Sequence, residues 1–259
     1  MEQRTWTELP AGLRAAVEAV TGPVLEAESV ETRRGETPFV AALTTGTGTV
    51  FAKGAPTKDE PGAEQRRRET VVAPIVASVA APLIGHVDDG GWEVLLFTHI
   101  PQGNAELSPG SKDLGPFAAT LRVIQQLQAP TGLALPSLAD QWTKPLGRDK
   151  RALLTGDTLL HHDLVPANVM RRRAPHGQQI LLVDWGQAVL GPAWAEFAGL
   201  YPGLLVAGHH PAGARQWLNQ FPAWRRAPRL GVRAYVSARQ AQCARVPEQV
   251  ARWESLLDT

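Results

Sequence analysis

Cysteine, methionine, tyrosine and lysine are all scarce in this chain. The one cysteine, Cys243, rules out a disulfide framework, and a reducing, cytoplasmic setting is the expectation that follows. The formal net charge is only +1, so no field of one sign draws the chain to nucleic acid or to a membrane surface. The longest apolar run, Val71 to Gly85, is broken by Pro74 and Pro82 and is too short to span a bilayer. The opening MEQRTWTELP has no basic segment followed by an apolar core, so no signal peptide is expected. No GxGxxG occurs in the turn from Glu31 to Pro38, which holds Gly35 as its single glycine. A phosphate-cradling loop and an ordinary polar hairpin both fit that turn.

What the chain does have is concentrated between Asp157 and Gly186, DTLLHHDLVPANVMRRRAPHGQQILLVDWG. Leu159 and Leu160 lead as a short apolar strand into the polar loop His161-His162-Asp163, and Asn168 leaves that loop. Val169 to Arg172 and Gln179 to Val183 read as two strands joined at Ala174-Pro175-His176-Gly177. The hairpin returns Asp184 toward Asp163 and Asn168. That set suits phosphoryl transfer, in which catalysis is mostly positioning and charge neutralisation. Magnesium binds through one or two protein oxygens plus substrate phosphates. Asp184 and the Asn168 side-chain carbonyl supply such oxygens, and Asp163 is left to face an acceptor hydroxyl and accept its proton.

His161-x-Asp163-x4-Asn168, followed by Asp184-x-Gly186, resembles the catalytic-loop and metal-loop motifs of the aminoglycoside phosphotransferase (choline kinase-like) family of small-molecule kinases. His162 departs from the pattern, since the family often has a small residue there. The resemblance implies an α+β, protein-kinase-like, two-lobed fold. Residues 1–98 would form a small N-lobe, a five-stranded antiparallel sheet plus a helix. Residues 99–259 would form a larger, mainly helical C-lobe. It implies ATP or GTP as donor and Mg²⁺ as cofactor. Lys53, ending the strand TVFAK, falls where the family's lysine grips the α- and β-phosphates, and Glu69 resembles the helix glutamate that pairs with it. Glu64 competes for that role, but Glu69 lies beside the apolar Val71-Val72 pair expected to face the sheet. Phe97 and His99 fall where the chain crosses between lobes and the adenine edge is bound. Glu196 falls where the family has an acidic residue opening a helix, a structural brace.

The remaining elements follow from periodicity. Helices are expected over Pro10–Val20, Ala63–Ala73, about Leu114–Gln128, Ala212–Gln220 and Val232–Arg245, with Pro74 kinking or ending the second. Strands are expected over Val24–Val30, Phe39–Thr44, Thr49–Lys53, Pro82–Val87 and Trp92–Phe97. Ser111 or Asp113 can cap the helix after the crossing segment.

About ten residues separate Gly186 from Glu196, with no APE motif, which argues against a protein substrate. From Trp185 onward there are eight arginines but only Glu196, Glu248, Glu254 and Asp258 as acids. A polycationic acceptor wants a carboxylate-lined pocket, so a neutral or nucleoside- or sugar-like acceptor is expected, unless Asp140 or Asp157 supplies the charge. Trp217, Trp224, Tyr235 and Trp253 offer either an aromatic wall for it or helix-packing core.

The expected function is thus phosphorylation of a small-molecule hydroxyl, of an antibiotic in the first instance. An aminoglycoside 3'-type enzyme and an amino alcohol or sugar kinase are the alternatives, with the protein a monomer or homodimer. A metal phosphohydrolase built on His161, His162 and Asp163 leaves Asn168 and Asp184 unexplained. A non-catalytic nucleotide-binding module is the third reading.

Overall fold

Alternating apolar residues between Val24 and Thr98 fold into one antiparallel sheet. A computed structural model describes residues 3–31, 37–175 and 177–258. Residues 32–36 of the turn expected to cover phosphates, and His176 of the hairpin turn, lie outside the described residues. The chain divides into two compact units, Met1–Pro101 and Gln102–Thr259.

The first unit opens with α1 (Ala11–Thr21) and continues through β1 (Val24–Ser29), β2 (Phe39–Thr45), β3 (Gly48–Pro56), α2 (Glu60–Val76), β4 (Leu83–Asp89) and β5 (Trp92–Thr98). The strands pair in the order β1-β2-β3-β5-β4, all antiparallel. Successive residues of a strand face opposite sides of the sheet. Phe39, Ala41, Leu43, Val50, Ala52, Val94 and Leu96 therefore share one face, which buries Leu13 and Val17 of α1. Lys53, next to Ala52, faces the other way, together with its cross-strand partner Leu95.

Helix α2 lies on that second face. Arg66 Nε meets Glu93 of β5 at 2.6 Å, and Glu69 meets Lys53 of β3 at 2.6 Å. Contrary to the sequence expectation, α2 begins at Glu60 and carries Pro74 inside its last turn, ending at Val76. Proline costs the bond to the residue four back and crowds that carbonyl. With only two residues left to run, the helix absorbs the loss.

In the second unit, α3 (Leu114–Ile124) buries Phe117, Leu121 and Ile124. Asp113 stands at its N-cap but makes no capping bond; its carboxylate accepts instead from the Glu106 N–H at 2.7 Å. Two short helices follow, α4 (Leu138–Gln141) and α5 (Arg148–Ala152), then β6 (Thr158–Leu160). The hairpin β7 (Val169–Ala174) and β8 (Gly177–Leu182) pairs from Val169↔Leu182 to Ala174↔Gly177. After it, β9 (Val189–Gly191) pairs with β6, so the short segment after Gly186 becomes a strand under the loop. The chain ends in α6 (Trp194–Val206), α7 (Pro211–Leu218), α8 (Pro222–Arg225), α9 (Arg229–Gln242) and α10 (Pro247–Glu254). No helix among the described residues is long and apolar enough to cross a membrane.

Gly54, beside Lys53, lets β3 lie close to β5: a Cβ there would sit 2.6 Å from Glu93 O and 2.7 Å from Val94 Cγ2. Gly54→Ala is expected to lower stability by about 1–3 kcal/mol in urea unfolding. Gly46→Ala, with open space around it, is expected to stay within about 0.5 kcal/mol of the parent. Equal midpoints for the two variants would contradict this reading of β3 and β5.

Candidate active site

The first unit brings three of the sequence-predicted residues to one face. Lys53 Nζ is 2.6 Å from Glu69 Oε2, with their side chains 15% and 4% exposed. It also lies 5.8 Å from the centroid of the Phe97 ring. A buried ion pair of this kind places an ammonium firmly, since removing either partner leaves an uncompensated charge. Glu64 turns to Arg67 and Arg68 at 2.9 and 3.0 Å and so does not compete for Lys53; those arginines hold its carboxyl at about 2. His99 follows β5 and is half-buried.

The second unit assembles Asp163, Asn168 and the residue before Asp184 around His161. The Asn168 Nδ2 donates to Asp163 O at 2.9 Å and to Asp163 Oδ2 at 3.1 Å. A carbonyl oxygen cannot donate, so this contact fixes the amide orientation and leaves the Asn168 Oδ1 as the atom suited to a cation. The Val183 N–H donates to Asn168 O at 3.0 Å. The Val183 carbonyl lies 2.9 Å from His161 Nε2. His161 Nε2 must therefore carry the proton, and Nδ1 accepts from the Asp163 N–H at 3.3 Å. One neutral imidazole thus ties the loop bearing Asp163 to the strand end bearing Asp184. Burial pushes its pKa down, against the pull of the Val183 carbonyl and of the Asp163 and Asp184 carboxylates. Trp185 packs on it, with ring centroids 4.6 Å apart.

Both ring nitrogens of His161 are taken by the backbone, which removes it as a metal ligand. His162 Nε2 is met by Arg239 at 2.9 Å. The phosphohydrolase reading loses its ligands on these contacts. Among the described residues, no cluster of three or more His, Cys, Asp or Glu could hold a metal. A magnesium ion bound chiefly by substrate phosphates needs fewer, and the oxygen donors of Asn168 and Asp184 fit it.

Two non-glycine residues have left-handed backbones, His162 at φ 64° and Asp184 at φ 65°. Such residues are uncommon and cluster where geometry is over-determined. Glycine takes this conformation freely, whereas His162 must be held in it by its neighbours.

Sequence reasoning placed Glu196 correctly as a brace but could not see what it braces. It is 2% exposed, and it accepts the His161 N–H at 2.5 Å and the His162 N–H at 3.1 Å. Burial pushes its carboxyl up to about 7, although both amides and Arg239 pull it down. Sequence reasoning missed Asn104, whose Nδ2 donates to Ala167 O at 2.7 Å and steadies the loop from outside. It missed Arg239 as well. Tyr235 and Trp253 do not form an open wall: the Arg239 guanidinium lies 5.4 and 5.7 Å from their ring centroids. Trp217 stacks on Phe117 at 5.9 Å, within the helical core.

Residues 134–235 match the phosphotransferase enzyme family, APH. No curated protein matches the chain. Choline kinase LicA from Streptococcus pneumoniae has a similar structure, with a TM-score of 0.59 at 12% identity, over 93% of this chain and 96% of that one. Plasmodium vivax ethanolamine kinase gives 0.58 at 10%, over 94% and 82%. Aminoglycoside phosphotransferase APH(3'')-Id from Streptomyces rimosus, solved with ADP and streptomycin, gives 0.55 at 13%, over 95% and 97%. The shared fold is protein-kinase-like: a five-stranded antiparallel sheet with its helix, then a mainly helical part.

Glu196 and His161 act oppositely on stability. Between the ordinary 4.5 and about 7, folded Glu196 holds a proton that the unfolded chain has lost, so its contribution falls as pH rises. Below the ordinary 6.5, unfolded His161 takes up a proton that the folded chain refuses, so its contribution falls as pH drops. The two slopes offset each other from 6.5 down to 4.5. Glu196→Gln removes one of them, and its urea midpoint is expected to fall relative to the parent as pH is lowered through that range. Parallel curves for parent and variant would contradict the burial of an ionisable Glu196.

Proposed function

We propose that this chain, whose residues 134–235 match the APH phosphotransferase family, moves the γ-phosphoryl group of ATP or GTP to a hydroxyl of a small, neutral or sugar- or nucleoside-like molecule. An antibiotic acceptor, and with it a resistance role, is the first form of this reading. The observation that carries the reaction class is the Asp163–Asn168 contact, tied through His161 and Val183 to the start of the metal loop at Asp184.

In this reading Asp163 orients the acceptor hydroxyl and takes its proton as the new oxygen–phosphorus bond forms and the bond to the β-phosphate oxygen breaks. Lys53, held by Glu69, lies against the α- and β-phosphates. Phe97 and His99 belong to the segment that meets the base. Asn168 Oδ1 and the Asp184 carboxylate would hold Mg²⁺, which would neutralise charge on the phosphates. Asp184 stands just beyond β8 with a left-handed backbone.

The acceptor class rests on charge. Of the four acids after Trp185, Glu196 is buried and spent on two amides. Glu248 faces solvent beside Arg252 on α10, and Glu254, Asp258, Asp140 and Asp157 are exposed. The rings of Trp142, Tyr235 and Trp253 already surround an internal cation, Arg239. These features support a neutral acceptor over the cationic ones named for the choline kinase, the ethanolamine kinase and the streptomycin complex. An amino alcohol acceptor stands as the alternative, because those folds carry that chemistry.

Nucleoside diphosphate release with Mg²⁺ and ATP or GTP, across aminoglycosides, nucleoside antibiotics, macrolides, peptide antibiotics and amino alcohols, is the deciding measurement. Release dependent on a neutral or nucleoside-like compound is expected; release only with aminoglycosides or amino alcohols overturns the charge argument and keeps the kinase. Asp163→Ala is expected to keep nucleotide binding and to lose at least about a hundredfold in kcat. Asp184→Ala is expected to abolish the Mg²⁺ dependence of nucleotide binding, measured by titration calorimetry, and an unaltered dependence would remove Asp184 from the metal set.

A further inference from the structure

We propose that Arg239 is a positioning residue that locks His162, and through it the loop carrying Asp163, in the left-handed conformation. This rests on the role given to Asp163 above.

Arg239 sits on α9, 77 residues from the loop it touches. Its Nη2 lies 2.9 Å from His162 Nε2 and 3.3 Å from the His162 carbonyl oxygen. A guanidinium has donors only, so His162 Nε2 acts as the acceptor and the imidazole presents a lone pair to the arginine. Both the side chain and the backbone of His162 are therefore gripped by one group. The Tyr235 hydroxyl accepts from Arg239 Nε at 3.2 Å and from Nη2 at 3.1 Å. The guanidinium carbon lies 5.5, 5.4 and 5.7 Å from the ring centroids of Trp142, Tyr235 and Trp253. Trp142 and Tyr235 are 1% and 0% exposed, and they meet edge to face at 5.0 Å. A long, flexible side chain is thus held by rigid walls contributed from three helical regions, a preorganised fork of the kind lysine cannot provide. The His162 ring closes the set, 5.7 Å from Trp142.

The need for such a device is local. The left-handed region is sterically disfavoured for an L-residue, and His162 has no glycine freedom to avoid this. Glu196 holds its N–H from one side. Arg239 holds its carbonyl and ring from the other. The next residue is Asp163, so a relaxation of His162 rotates the carboxylate that the reaction depends on. A histidine in the left-handed region, and an arginine in an aromatic box, are two halves of one arrangement.

The test uses the full chain and four variants: Arg239→Met, Arg239→Lys, His162→Gly and the double His162→Gly/Arg239→Met. Two readouts are taken: amide hydrogen exchange over residues 161–168, and diphosphate release from MgATP and MgGTP with water as acceptor. Arg239→Met is expected to speed loop exchange and to lower kcat by about tenfold or more, with the nucleotide KM changed by less than about twofold. Arg239→Lys, which keeps a cation among the rings, is expected to show the same changes to a smaller degree. His162→Gly is expected to rescue both readouts, since glycine takes the left-handed backbone at no steric cost, so the double variant behaves as His162→Gly alone. Unchanged loop exchange in Arg239→Met, or a double variant as impaired as Arg239→Met, overturns the proposal. So does faster exchange spread evenly over α9 and α10 in both arginine variants, which marks a purely structural role. Release unaffected by Asp163→Asn counts against the phosphotransferase reading instead, while the exchange pattern still decides the role of Arg239.

Discussion

Two backbone amides pointing at one buried carboxylate hold the loop from His161 to Asn168 in place. Glu196 reaches them from the first turn of α6. Net hydrogen bonds contribute about 0.5–1.5 kcal/mol each. The left-handed backbone of His162 costs about 1–2 kcal/mol. Two such bonds are of the size of that cost, so the loop can hold a conformation that its own sequence disfavours. Everything downstream of that contact is geometric consequence: Asp163 follows His162, and Asn168 is bonded to Asp163.

His161 converts this local anchor into a wider one. Its two ring nitrogens join the Asp163 N–H to the Val183 carbonyl, and the Val183 N–H returns to Asn168. The loop and the residue after β8 are therefore tied to each other by hydrogen bonds. The arrangement is dry, which is why burial outweighs two neighbouring carboxylates and keeps the imidazole neutral. A charged imidazole would need two acceptors, and one of its neighbours here is a donor.

The Lys53–Glu69 pair shows the same logic in the first unit with different parts. Strand alternation sends Ala52 into the apolar face and Lys53 out of the opposite one, where Glu69 meets it. Arg66 and Glu93 bond α2 to β5 at a second point, and Gly54 lets β3 and β5 lie close. The Lys53 ammonium is thus fixed by sheet register and its pairing with Glu69, not by its own flexible stem.

The order Lys53, Glu69, Asp163, Asn168, Asp184 was legible in the sequence, because those residues stand at fixed offsets from strand and turn signals that depend on nearest neighbours alone. The five strands and α1 were legible for the same reason. Pro74 misled the reading of α2, since a breaking residue in a final turn meets little helix left to break. What Glu196 braces, and the roles of Asn104 and Arg239, were not legible: each acts across tens of residues through hydrogen bonds that no local pattern encodes. The aromatic residues near the C-terminus pose the same difficulty, because Tyr235 and Trp253 surround a cation of the chain itself, whereas Trp217 packs in the core. The sequence by itself determined which chemistry the chain carries and on which loops, since residue type and spacing are local properties. Only the tertiary structure decided how those loops are held, since the anchors are buried polar contacts whose partners become neighbours only when the helices pack.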